Sequence, residues 1–196
     1  PLYDTMSSLG RVMGDCGKGT PVQHLAKAAG FSKKTLVVHA NRLINADIEM
    51  LQRVGADVVH CPRSHAWFGH ANFDCDRLAK AGVNICIGTD SLASTGGETA
   101  VMGLNMFAEM QELSRNHPKL PCEDLLQMAT ANGATALGLG DEIGLLKEGL
   151  IANMAVIPYS DSVSSVPEAI VQHSCPVAML MIEGKRAFSG IDSIVD

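Results

Sequence analysis

The sequence predicts an α/β fold built on a parallel sheet, and three observations predict it. Short apolar runs rich in β-branched residues begin at Thr35, Asp57 and Val83. Stretches with helical apolar spacing separate them and are stopped by Gly55 and Gly82. Each run ends in or beside an ionisable residue: His39, His60 and Asp90. Repeated strand–helix order implies parallel pairing with right-handed crossovers. Ligands of such sheets gather at the carboxyl ends of the strands, so the three polar residues point to one edge. With 196 residues, 46% apolar and 4% aromatic, the chain can build one largely aliphatic core.

The elements follow in order. Residues 1–19 read as loop, with room for a short helix at the start. Thr20 caps a helix, Pro21 suits its first turn, and Gln23 can reach back to the cap. That helix runs through Leu25 and Ala28 to Gly30 and carries His24 as a surface or packing histidine. Thr35 to His39 is the first strand. Asn45 caps the next helix, with Asp47 and Glu49 in its first turn and Ile48, Leu51 and Val54 on one face. Asp57 to Pro62 is the second strand. Residues 63–73 read as a loop bearing Arg63, His65, Trp67 and His70. A helix from Asp74 to Ala81 leads to the third strand, Val83 to Gly88.

The second half opens with a long amphipathic helix, Glu98 to Arg115. Met102, Met106, Met110 and Leu113 lie on one side of it, a core stripe. Helices follow from Pro121 to Met128 and from Thr130 to Leu137. Met154–Ile157 and Val177–Ile182 read as short strands, and Glu183–Arg186 as a turn into another. The chain divides into an α/β part, 1–150, and a small β-element, 151–196.

Composition narrows the partners. The net charge is −6 with no basic run, which argues against nucleic acid. No apolar stretch reaches the ~20 residues of a membrane helix, and no signal-peptide pattern opens the chain. The six cysteines form no Cys-x-x-Cys pair, which favours small buried thiols in a reduced, cytoplasmic setting over structural zinc.

Asn84 to Ser91 is the stretch with most chemistry in it. A buried strand there delivers Asp90 at its carboxyl end. Such a carboxylate can be catalytic or can merely tighten a turn, and the stretch alone leaves both readings open.

The wording around these residues resembles the metal-dependent amidohydrolase superfamily, in its cytosine deaminase/chlorohydrolase-like branch. The matching text is Val37-Val38-His39-Ala40-Asn41, Val58 to His65, and Gly82 to Ser91, then Met128 to Ala134 with Gly138 and Ile143-Gly144. The resemblance implies a (β/α)8 TIM barrel with a small β-domain. It implies hydrolysis of C–N or C–Cl bonds in small heterocycles by water on Zn²⁺ or Fe²⁺. It places His39 at the end of the sixth barrel strand, orienting the hydroxide or polarising substrate. His60 ends the seventh. Asp90 ends the eighth, as metal ligand and proton shuttle. His65 and His70 follow His60 on the substrate side, with Arg63 and Ser91 also expected at the substrate.

The departures are as informative. The first-strand His-x-His pair and the fifth-strand histidine of the family are absent. The match enters between the fifth and sixth strands, so the expectation is a partial barrel of the last three strands. Such a chain is expected to associate with a missing N-terminal half or with another copy, and to hold metal weakly by itself. Gly149-Leu150-Ile151-Ala152-Asn153 replaces a Gly-Lys-x-Ala-Asp pattern, which leaves the packing of the β-element open. The contrasting expectation is a non-catalytic α/β module that assembles with another chain. A phosphate-binding α/β enzyme ranks lower, because no glycine-rich fingerprint follows any strand.

Overall fold

The computed structural model describes residues 2–14, 16–28, 30–94, 103–159 and 165–189. Three parallel strands, β1 (Leu36–Val38), β2 (Asp57–His60) and β3 (Ile85–Ile87), lie side by side in chain order. Val38 pairs with Val59, and Val59 with Cys86. Among the described residues the sheet is open and does not close into a barrel.

Because side chains alternate along a strand, the register sorts the two faces. Val37, Val58 and Ile85 share the face that packs on the helices. Leu36 and Val38 look the other way and are substantially exposed. On the helical side, Ile48 and Leu51 of α3 (Asn45–Val54) meet Leu78 of α5 (Cys75–Lys80) in one core.

The start of α2 (Pro21–Ala28) follows the local rule, and those of α3 and α4 (Pro62–Trp67) depart from the sequence reading. After the short α1 (Leu2–Ser8), α2 opens on the expected reciprocal cap: the Gln23 N–H donates to Thr20 Oγ1, and the Thr20 N–H to Gln23 Oε1, each at 3.2 Å. α3 does not use Asn45 as its cap. Ile44 holds that position, and buried Asp47 accepts the Ile44 N–H at 3.1 Å. Asp47 also accepts from Thr20 Oγ1 at 2.5 Å, tying α2 to α3. The acid wins because it satisfies two donors at once. The second departure is α4, a helix inside the expected loop 63–73. Pro62 starts it with a preset φ, but six residues are too few to show a period.

α6 (Met106–Asn116) starts later than expected, where Asn105 Oδ1 accepts from the N–H groups of Phe107 and Ala108. The expected start at Glu98, and Met102 with it, lies outside the described residues. Met110 and Leu113 do enter the core, with Leu125 and Met128 of α7 (Cys122–Ala129).

After α8 (Ala131–Ala136) the chain folds back so that Gly144 touches that helix. A Cβ on Gly144 would lie 2.6 Å from Ala134 Cβ and 3.1 Å from Ala131 Cα, and its φ is +97°. Gly144→Ala is expected to lower stability by about 2–3 kcal/mol, from overpacking plus left-handed strain. Gly138→Ala, with φ +73° and open space, should lose only about 1 kcal/mol. Urea unfolding of both variants checks this; equal losses would refute the close-packing argument.

The second sheet is antiparallel: β4 (Met154–Val156), β5 (Met179–Ile182) and β6 (Lys185–Ser189). Glu183 and Gly184 turn the last hairpin with φ of 51° and 74°, as a two-residue turn of this hand requires. Asn153 fixes that turn by accepting the Glu183 N–H at 2.8 Å. Between the strands lies a helix the sequence reading did not contain, α9 (Val166–Val171), capped by Ser165. Its Val171 is fully buried in the first core, so this part of the tail packs with the α/β layer. Among the described residues no helix is long and apolar enough to cross a membrane.

Candidate active site

At one edge of the sheet, the chain leaves the extended conformation at His39, just past β1, and at Asp90, three residues past β3. His39 and Ala40 have φ of 69° and 49°, and Asp90 has 54°. These are left-handed conformations at residues with a Cβ, each costing roughly 1–2 kcal/mol. The ladder holds the first bend, since the His39 N–H donates to Val59 O at 2.8 Å. The bends bring His39 Nε2 to 3.8 Å from Asp90 Oδ2, with both side chains partly open to solvent.

α4 supplies the third member. Buried Ser64 donates its Oγ–H to Asp90 Oδ2 at 2.7 Å. That bond is the main reason the Asp90 carboxyl lies below the ordinary value; burial opposes it, while Ser94, His39 and the Ser91 backbone assist. The site thus holds an ionised carboxylate beside an imidazole, a pair that can accept and return a proton. An open cleft of about 300 Å³ lies against it, lined by His39, Asn41, Ser64, His65, Phe68 and His70.

The other expected residues take different places. His65 is buried at the cleft wall, between Asn41 and the Ala71 carbonyl. Burial lowers its pKa, opposed by the bond to Ala71 and assisted by the charges of His70, His117 and His39. His70 reaches the cleft from the exposed side. His60 does not line it. It sits on the helix-facing side of β2 and stacks on Phe73 at 3.9 Å between centroids, with His65 edge-on at 5.0 Å. Arg63 is buried and turned away from the cleft: its guanidinium donates to Gly103 O at 2.9 Å and lies 3.6 Å from Glu109. Ser91 shares a hydrogen bond with Ser94, hydroxyl to hydroxyl, at 3.2 Å.

Burial pushes the His60 pKa down to about 3, with His65, His117 and His39 adding repulsion. The unfolded chain binds this proton below about 6.5, whereas the folded chain does so only near 3. Stability from His60 is therefore present above pH 6.5 and lost as pH falls. The loss is about 1.4 kcal/mol per pH unit, or about 2 kcal/mol by pH 5. His60→Phe should flatten that slope, measured by urea unfolding between pH 5 and 7. An unchanged slope would mean that His60 already carries its proton in the fold.

Sequence reasoning missed Asn41, Ser64, Phe68 and Glu109. Glu109 alone left a signal: an acid at helical spacing within the Met106, Met110, Leu113 stripe. It is fully buried and accepts the Arg63 N–H at 2.9 Å, at the start of α4. Ser64 and His65 face the site only because α4 is helical.

A catalytic zinc takes about three protein ligands and an open position. Among the described residues no three His, Cys, Asp or Glu side chains form such a cluster. Asp90 and His39 supply two candidate donors, so these residues do not make a metal centre by themselves.

Comparison with known proteins bears on the family and the fold. The chain is 32% identical over 160 residues to the 5-methylthioadenosine/S-adenosylhomocysteine deaminase of Thermococcus onnurineus, covering 81% of this chain and 37% of that one. The fold superposes on an adenosine deaminase from Xanthomonas campestris, solved with bound zinc, with a TM-score of 0.78 and 25% identity over 96% of this chain and 43% of that one. The Escherichia coli guanine deaminase shares the fold, with a TM-score of 0.69 and 22% identity, over 81% of this chain and 40% of that one. The chain therefore spans well under half the length of these proteins. Residues 8–187 match the family model described as "Amidohydrolase family". With that match across most of its length and the deaminase identity beside it, the chain belongs to the amidohydrolase family.

Proposed function

We propose that this chain is the C-terminal part of a hydrolase that deaminates a small heterocycle, with water as the attacking group. The observation that carries the reading is the His39–Asp90 pair, 3.8 Å apart beyond the ends of β1 and β3, with His39 lining the cleft and Asp90 bonded to the cleft residue Ser64. Asp90, ionised and held by Ser64, takes a proton from water as the C–O bond forms. It returns that proton to the departing amine as the C–N bond breaks. His39 holds the attacking oxygen or steadies charge on the substrate. Asp90 is also proposed as one ligand of a divalent metal, Zn²⁺ or Fe²⁺, whose other ligands come from outside this chain. His65, His70 and Ser91 are proposed to face substrate, with His60 and Arg63 supporting them from behind.

The exposed apolar face of the sheet supports a partner for β1–β3. Leu36 is 38% and Val38 50% exposed on a face that a closed barrel would bury. An upstream half of the same protein, or a second copy, would cover it. Substrates of the deaminase class are favoured by the relatives' names and by the aromatic and imidazole side chains of the cleft. The test is ammonia release by the full-length protein from adenosine, 5′-methylthioadenosine, guanine and cytosine. Release from at least one is expected; release from none would overturn the deaminase reading.

A further inference from the structure

His65 is held at both ring nitrogens. Its Nε2 lies 2.6 Å from the Ala71 carbonyl oxygen, and its Nδ1 lies 2.9 Å from Oδ1 of Asn41. A carbonyl oxygen only accepts, so Nε2 carries a hydrogen and donates to Ala71. The second contact then depends on charge. An imidazolium could donate Nδ1–H to the Asn41 oxygen. The bond to Ala71 favours that form, but burial of the ring outweighs it, and His70, His117 and His39 add repulsion. A neutral ring with hydrogen on Nε2 presents a lone pair at Nδ1. Two acceptors would then meet at 2.9 Å, an arrangement that a half-turn of the carboxamide removes.

We infer that the Asn41 amide N–H₂ donates to His65 Nδ1 and that its carbonyl oxygen is thereby aimed into the cleft. Asn41 becomes a fixed acceptor in the wall shared with His39 and Ser64. It reads a hydrogen-bond donor, an O–H or N–H, on the bound substrate. The Ala71 carbonyl sets the tautomer, and the tautomer sets the amide. The relay can do this because His65 is clamped from both sides, whereas the exposed Phe68 and His70 are free to adapt to a ligand. As a specificity element, this rests on the deaminase reading above; the orientation of the amide does not.

The experiment has two arms on the full-length protein. In the first, histidines are ¹⁵N-labelled and the two-bond N–H pattern of His65 is read near pH 7, with His65→Gln to assign it. A neutral ring protonated at Nε2 is expected. Protonation at Nδ1, alone or with Nε2, overturns the inference, because the Asn41 oxygen would then face the ring. In the second arm, kcat/KM of wild type and Asn41→Ala is compared on adenosine and its 2′-deoxy and 3′-deoxy analogues. Loss of a hydrogen bond read by the site should lower adenosine turnover about 10-fold or more. If the loss disappears with one deoxy analogue, the donor is that ribose hydroxyl. If it persists with both, the donor is a base N–H. Values for Asn41→Ala within about 2-fold of wild type on all three would overturn the specificity role. A protein inactive on all three, with the His65 tautomer as stated, would sink the nucleoside deaminase reading while upholding the amide orientation.

Discussion

Asp90→Ala in the full-length protein is expected to lower kcat by about 10³-fold or more, the range for losing a positioned acid–base group. The basis is geometric. The carboxylate ends a buried strand in a left-handed bend, is oriented by Ser64 at 2.7 Å, and faces His39 at 3.8 Å. Asp90→Asn separates proton transfer from shape, because an amide oxygen can still accept from Ser64 but cannot take up a proton at neutral pH. It should lose nearly as much turnover while folding normally. Ser64→Ala should lose less, about 10-fold, because the carboxylate remains and only its orientation relaxes. Turnover is measured as ammonia release under saturating substrate. Asp90→Asn with near wild-type kcat would remove Asp90 from the chemistry and leave it a turn residue. The companion measurement uses the 196 residues alone, which are expected to release no ammonia and to retain no stoichiometric zinc after dialysis. Restoring the upstream half should restore both; full activity in the short chain would refute the reading of it as part of a larger site.

Glu109→Ala is expected to be the most destabilising single change described for this protein, at about 3–5 kcal/mol. Glu109 is fully buried on α6, where its Oε2 accepts the Arg63 N–H at 2.9 Å. Its Oε1 lies 3.6 Å from the Arg63 guanidinium. Truncation takes the carboxylate from a buried guanidinium and leaves a buried N–H at the start of α4 unmatched. Glu109→Gln keeps an acceptor for that N–H and should cost less, about 1–2 kcal/mol. Because α4 carries Ser64 and His65, Glu109→Ala should also lower kcat in molecules that remain folded. Urea unfolding gives the stability losses; similar losses for Ala and Gln would show that the charge and not the N–H contact is what matters.

The same residue makes a pH signature. Burial pushes the Glu109 carboxyl up to about 7, against the lowering effect of Arg63. A raised folded pKa means that the folded chain holds the proton more tightly. Its contribution is fully present below about 4.5 and is lost as pH rises through about 7. The stability of wild type relative to Glu109→Gln should therefore fall as pH rises between those values. A difference independent of pH would show Glu109 permanently ionised against Arg63.

Much of this was legible in the residues themselves. The alternation of apolar runs with glycine-stopped helices is local, so strands near Thr35, Asp57 and Val83 and their parallel order could be read directly. The Thr20–Gln23 cap could be read for the same reason: its partners are three residues apart. Strand-end placement of His39 and Asp90 followed from the lengths of their strands. Tertiary structure decided what local pattern could not. Helix α4 begins at Pro62, but the buried Arg63 N–H in its first turn is satisfied by a carboxylate 46 residues downstream, a contact that no local pattern shows. That helix turns Arg63 into the core, Ser64 onto Asp90 and His65 to the cleft wall, a sorting invisible in a run of consecutive polar residues. The face of β2 that carries His60 was set by its register with β3, since a shift of one residue would have reversed it. The cap of α3 passed from Asn45 to Ile44 because Asp47 could reach both that N–H and Thr20 on a neighbouring helix. Short-range pattern determined which elements exist; long-range hydrogen bonds and burial determined which side chains meet.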